Sequence, residues 1–182
     1  MGCKQIVNKT NNNNNNKNQN TQKINKLIEI NIKEFSEEAL KQHNKLREIH
    51  HANKLIINEN LQNYAQKFAE EIANKSEEYH SQCLLDGKVI GENIYIDDNF
   101  ITGEKMTNEF YNEINNYNFN KAQCEINASR FTQLIWKNSK EVGFGVAKSK
   151  SGKFYAVVNY YPAGNNLGEY KENVENFVKK SK

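Results

Sequence analysis

Two alternating runs late in the chain constrain its fold more than any other feature. Val142-Gly-Phe-Gly-Val146 and Phe154-Tyr-Ala-Val-Val-Asn-Tyr-Tyr161 place apolar residues at alternate positions, and Lys150-Ser-Gly-Lys153 lies between them. A period of two is that of a strand with two different faces, and a glycine-bearing turn between two such runs predicts an antiparallel hairpin. Tyr161-Pro-Ala-Gly-Asn165 then closes the second strand.

Elsewhere the period is helical. Leu61, Tyr64, Ala65, Phe68, Ala69, Ile72 and Ala73 recur at i, i+3, i+4 and i+7, which predicts a core helix. Ser36 followed by Glu37 and Glu38 reads as an N-cap with carboxylates near the positive end of a helix dipole. The helix from there turns Ala39, Leu40, His43, Leu46, Ile49 and His50 inward, with Asn44, Arg47 and Glu48 outward and His43 as a hydrogen-bonded core histidine. Thr102 caps a third helix carrying Met106, Phe110 and Ile114, with Glu113 beside that face. In Ala128–Ser139, Phe131, Leu134 and Ile135 share a face next to Trp136, the chain's single tryptophan, and leave Arg130 and Thr132 at an edge suited to a cleft. Between these helices Leu84-Leu-Asp-Gly87 turns the chain toward Val89–Tyr95, where Glu92 stands among apolar residues. A carboxylate in such a place needs a partner. From Gly168 onward the composition predicts a tail lying on the surface.

At 182 residues the chain has room for one domain with one substantial core. No apolar run approaches the roughly 20 residues that span a bilayer. A net charge of +3 is too mild to imply nucleic acid, and no aromatic and basic residues interleave as a base-stacking surface requires, so no nucleic-acid partner is expected. Cys3, Cys83 and Cys124 form no Cys-x-x-Cys pair, which excludes a zinc finger. Residues 1–20 lack the apolar stretch of a secretory signal, so free thiols in the cytosol are the default, with a Cys83–Cys124 bridge left open.

The N-terminal stretch cannot build a core. Removal of Met1 exposes Gly2 for myristoylation beside Cys3 for palmitoylation, and two acyl chains anchor where one does not. Ile6 departs from the usual Ser or Thr at the sixth position, and the alternative is an unmodified terminus. Lys4, Lys9, Lys17, Lys23 and Lys26 precede the first acidic residue, Glu29, which suits an anionic leaflet. The tract Asn11–Asn16 reads as a flexible tether or an expansion without a role. Leu27–Ile32 either docks as an edge strand or leads into the domain.

Taken in order, these pieces resemble the CAP superfamily, the proteins related to cysteine-rich secretory proteins, antigen 5 and plant pathogenesis-related group 1. Phe131-Thr-Gln-Leu-Ile-Trp136 and Tyr160-Tyr-Pro-Ala-Gly-Asn165 carry the likeness, with Tyr79-His-Ser81 and Gly91-Glu-Asn93 before them. The chain resembles most the intracellular branch, the Golgi-associated plant pathogenesis-related proteins, through Gly2, the Pro-Ala-Gly-Asn turn and Tyr111–Phe119. The resemblance implies an α+β fold, a three-layer α-β-α sandwich with a central antiparallel sheet. It divides the chain into an acylatable Lys- and Asn-rich leader (1–34), a CAP domain (35–174) and a basic tail (175–182).

The resemblance also implies a cleft holding two histidines and two glutamates. His80 takes the first histidine place and Glu92 and Glu113 the glutamate places, while Arg130 stands where the second histidine is normal. A guanidinium cannot shed its proton to bind a metal, so the expectation is no tight zinc site and no other cofactor. Arg130 is expected instead to pair with Glu92 or Glu113 as a planar donor. Val158 replaces a cysteine of secreted members, in keeping with a chain that is not oxidised.

The function expected is that of a non-enzymatic, membrane-associated module on the cytosolic face of the Golgi or plasma membrane. It is held there by Gly2 and Cys3, meets an anionic surface, binds a sterol or fatty acid in a groove and self-associates as a homodimer. The alternative is a hydrolase or protease using His80 with Glu92 or Glu113 as an acid–base pair, for which Ser81 is a poor nucleophile. A third reading confines the four cleft residues to a buried polar network, and a fourth assigns self-association to the Asn-rich leader.

Overall fold

The structure, a computed structural model, describes residues 32–177. Gly2, Cys3, the leader lysines, the asparagine tract, residues 27–31 and the end of the basic tail lie outside the described residues. The unit Glu34–Lys182 carries the fold.

A helix α1 over residues 32–49 leads into a two-residue strand β1 (Ile56–Ile57) and the helix α2 (Glu59–Lys75). A small hairpin, β2 (Leu84–Leu85) and β3 (Lys88–Val89), precedes strand β4 (Gly91–Asp97) and helix α3 (Gly103–Asn112). Short 3-10 turns at Glu113–Asn116 and Ile126–Ala128 lead to α4 (Ser129–Ile135), the hairpin β5 (Glu141–Lys148) and β6 (Phe154–Tyr161), and a last turn, α5 (Tyr170–Asn173).

The hairpin forms as its alternation predicts, with Phe144 opposite Val158 and Val142 opposite Tyr160. The sheet order is β1-β5-β6-β4, so β4 lies at one edge. Its three long strands, β5, β6 and β4, are antiparallel as expected, and the two-residue β1 adds a parallel partner to β5, with Ile56 beside Glu141. Two residues are too short for any pattern to announce that strand. Alternate residues of β5 and β6 serve opposite faces. Phe144, Ala156, Val158 and Tyr160 meet α1, α3 and α4, whereas Val157 and Tyr155 meet α2. Gly143 and Gly145 let α2 lie close to the sheet, because a Cβ on either would fall 2.2–2.3 Å from the α2 backbone. The result is three layers, helix, sheet and helices.

Asn58 caps α2 by accepting from the amides of Asn60 and Leu61, and Thr102 caps α3 by accepting from Lys105 N. Ser36 is no cap. It sits inside α1, and its hydroxyl accepts from Gln62 Nε2 at 2.7 Å, so α1 begins earlier than its first capping signal. Arg47, expected outside, is wholly buried. Its guanidinium donates to the carbonyls of Leu134, Trp136 and Ser139, and its Nε to Asn53, at 2.8–2.9 Å. Carbonyls at the end of α4 lack helical donors, and a cation is a good partner for them. Burial nevertheless lowers the Arg47 pKa to about 10. Conversely, Ile49 and Tyr64 fit the inward periodicity but are exposed, being at the margins of their helices' apolar faces. The stretch after Gly168 is less superficial than expected: Tyr170 is buried edge-on against Trp136, with ring centroids 5.1 Å apart.

Candidate functional site

A cavity of about 730 Å³ opens along the free edge of β4. His80, Glu92, Glu113 and Arg130 all line it, so the four residues singled out by sequence do converge. They do so in two bonded pairs, His80 with Glu92 and Arg130 with Glu113.

The first pair is His80 and Glu92. Glu92 sits on β4 opposite Asn159, and its carboxylate is only 6% exposed. It accepts from His80 Nδ1 at 2.9 Å, from the Ser81 amide at 2.8 Å and from the Ser81 hydroxyl at 2.6 Å. The Ser81 hydroxyl is therefore committed as a donor to Glu92. His80 remains 70% exposed and lines the cavity, and with Nδ1 bonded to Glu92 its Nε2 has no hydrogen-bond partner among the described residues. That bond raises the pKa of His80 above its ordinary value, against a smaller opposing effect of burial, with the charge of Glu78 adding to the rise.

The second pair is Glu113 and Arg130, the partnership left open between two glutamates. Glu113 ends α3, at the start of a 3-10 turn, and Arg130 lies in the first turn of α4. Arg130 Nε donates to Glu113 at 2.5 Å, while the amides of Arg130 and Phe131 donate to the other carboxylate oxygen at 2.9 and 3.1 Å. The guanidinium also lies 5.6 Å from the centre of the Phe110 ring, and Nη1 approaches the carbonyl of Ile94 at 3.4 Å. Arg130 is thus a cation fixed in direction by a carboxylate, a ring and a strand edge.

Behind the cleft a chain of hydrogen bonds runs into the core. Asn93 Nδ2 donates to Arg130 O at 3.0 Å and to the Tyr160 hydroxyl at 3.3 Å. Tyr160 in turn bonds His43 Nε2 at 2.9 Å, and His43 Nδ1 meets Ala39 O at 2.8 Å. With Nδ1 donating to that carbonyl, Nε2 accepts from Tyr160. Burial lowers the His43 pKa to about 3, so this imidazole is neutral, as expected of a core histidine. Sequence reasoning missed Asn93 and Tyr160 as supports of the Arg130 wall. The only signal available was that both lie inside motifs already singled out.

Those motifs are welded together by Gln133. Its Oε1 accepts from the Gly164 amide at 2.8 Å, and its Nε2 donates to the Ser139 hydroxyl at 3.1 Å. A Cβ on Gly91 would stand 2.1 Å from that same Oε1, which explains why β4 opens on glycine. Thr132, read as facing the cleft, is instead buried and donates to Asn165 Oδ1 at 2.7 Å. Asn165 Nδ2 returns a bond to Ser129 O at 2.9 Å, and the Tyr161–Pro162 peptide is cis. Cys83 and Cys124 are free thiols, which resolves the open question of a bridge. Burial and the nearby Glu92 push the Cys83 thiol up, away from reactivity.

Among the described residues no three His, Cys, Asp or Glu side chains are placed to hold a metal ion. The bonding explains this at the cleft, since the oxygens of Glu92 and Glu113 already face donors of the chain itself. Nor, among the described residues, is any helix long and apolar enough to cross a membrane.

Comparison with known proteins yields one consistent set of likenesses. The model of the family described as CAP, cysteine-rich secretory protein family, matches residues 40–160. Golgi-associated plant pathogenesis-related protein 1 of Homo sapiens is 36% identical over 144 residues, covering 78% of this chain and 93% of the relative. Protein PRY2 of Saccharomyces cerevisiae is 33% identical over 144 residues, 78% of this chain but 41% of that protein. Among solved structures, venom allergen-like protein 4 of Schistosoma mansoni superposes with a TM-score of 0.63 at 23% identity, covering 81% of this chain and 97% of that one.

Proposed function

The chain belongs to the CAP family, and from that premise we propose that it is a non-enzymatic, lipid-binding member held at the cytosolic face of a membrane. The observation that carries the reading is the state of the cleft carboxylates. Each accepts three bonds from its own chain and is thereby committed to holding its own wall, and the hydroxyl nearest His80, that of Ser81, donates to Glu92 and not to the imidazole. The donor set does not fit zinc, because Arg130 cannot give up a proton to become a ligand. What remains is a preformed polar cavity in the size range of small-molecule sites.

Membrane attachment rests on the start of the chain, where Gly2 and Cys3 precede five lysines with no acid among them. The likeness to a human protein whose name places it at the Golgi supports that membrane, with the plasma membrane as the alternative. Anionic phospholipid, with a sterol or fatty acid as further ligand, is the partner proposed, and a second copy of the chain another.

A Gly2→Ala variant, which cannot be myristoylated, is expected to move from the membrane to the soluble fraction of cells. Retention on membranes at the wild-type level would remove the anchor from this account. The competing hydrolase reading draws on one feature, His80 in the cavity wall with its Nδ1 bonded to Glu92. Peptidase activity in purified protein that disappears in His80→Ala would establish it.

A further inference from the structure

We propose that the cleft is an oxyanion site, in which Arg130 and His80 hold a phosphate group between the two walls. This deepens the lipid-binding reading and rests on it only for the origin of the phosphate. The argument begins with how the donors are used. Glu113 is fully engaged by Arg130 Nε and two amides, yet Arg130 Nη2 has no partner among the described residues and Nη1 has only the 3.4 Å contact to Ile94 O. Glu92 is likewise engaged, while His80 Nε2 has no partner among the described residues. All four side chains line one cavity, and within it the carboxylates are engaged by donors of their own walls while the two cationic groups keep donors to spare.

Both groups are tied to neighbouring points of one strand. His80 is tied to Glu92 and Arg130 touches Ile94 O, two residues further along β4, an offset of about 6.6 Å. A tetrahedral oxyanion offers several acceptor oxygens to such a pair, and a guanidinium meets two of them with its planar fork. The substitution of arginine at this place therefore does more than exclude zinc. Where the family resemblance implies a histidine, this chain carries a permanent cation, which suits the cleft to an anion. Glu78, which also lines the cavity, opposes an anion and provides a control.

The test uses the full-length chain without acyl groups, titrated with inorganic phosphate at pH 6.5 and constant ionic strength while the amide signals of Ser81, Arg130 and Phe131 are followed by NMR. Saturable shifts are expected. Arg130→Gln weakens the phosphate affinity about tenfold, the loss of one or two charge-assisted bonds. His80→Gln, at an exposed side chain that folding does not need, weakens it several-fold, and Glu78→Gln tightens it about twofold. Should Arg130→Gln fail to fold, Arg130→Lys keeps the charge without the fork and is expected to weaken binding by a smaller factor. Absence of saturable shifts overturns the proposal. So does equal affinity in wild type and His80→Gln, which would mark adventitious binding elsewhere.

A second arm adds vesicles of phosphatidylcholine alone or with phosphatidylinositol. Vesicles that compete with phosphate for the same shifts identify a lipid headgroup as the source. Saturable phosphate binding without vesicle binding keeps the site, assigns it a soluble phosphate ester and removes the lipid headgroup as its ligand, while the acyl anchor is decided by Gly2→Ala. Vesicle binding with no phosphate shifts overturns the phosphate site and leaves the membrane reading in place.

Discussion

The two walls of the cleft solve one problem with unrelated stretches of chain. Glu92 grips the dipeptide His80-Ser81, taking one amide, one hydroxyl and one imidazole. Glu113 grips Arg130-Phe131, taking two amides and one guanidinium nitrogen. Each buried carboxylate is thus satisfied by three donors, as a buried charge must be. The difference is the side chain at the outer end of each grip. His80 can lose its proton near neutral pH, whereas Arg130 cannot. One wall is a permanent ion pair, and the other is a hydrogen bond that becomes an ion pair only when the imidazole is charged. Structure at the two walls is therefore alike, while their energetics are not.

Removing each carboxylate separates the two. Glu113→Ala strands a cation that has no neutral form and leaves two backbone amides unpaired. Breaking a buried pair costs about 3–5 kcal/mol, and the partial exposure of Arg130 reduces this to about 2–3 kcal/mol. Glu92→Ala leaves His80 free to become neutral, so its cost is chiefly the unpaired Ser81 amide, about 1–2 kcal/mol. Urea unfolding of the two variants measures both. A loss for Glu92→Ala equal to or larger than that for Glu113→Ala would show that permanence of the cation is not what distinguishes the walls.

How much of this could be read from the residues depended on distance along the chain. The hairpin, α2 and the Thr102 cap rest on patterns within one element, and each formed where its spacing placed it. The convergence of His80, Glu92, Glu113 and Arg130 came from likeness to a family, since no local pattern brings residues 80 and 130 to one cavity. Arg47 was illegible: charged and at an outward position by periodicity, it is buried because carbonyls 87, 89 and 92 residues away receive it. Backbone acceptors leave no mark on a sequence. Ser81 escaped for a related reason. A poor nucleophile beside His80, it serves the carboxylate across the edge strand, a partner that only the path of residues 78–83 toward β4 could supply.

The smallest effect tests the titrating wall itself. Glu92 raises the pKa of His80 in the folded protein, so the folded state holds its proton more tightly than the unfolded one does. The stability this contributes is fully present below the unfolded value, about 6.5, and is lost as pH rises through the folded value. Because His80 is 70% exposed, solvent screening limits the contribution to about a few tenths of a kcal/mol. Its titration is easier to see than its energy. The imidazole signals of His80 are expected to report a pKa above 6.5 in the wild type and a lower one in Glu92→Gln, with the Ser81 amide moving in step. A His80 pKa unmoved by Glu92→Gln would mean that the carboxylate orients the ring without holding its proton, and the two walls would then differ in geometry alone.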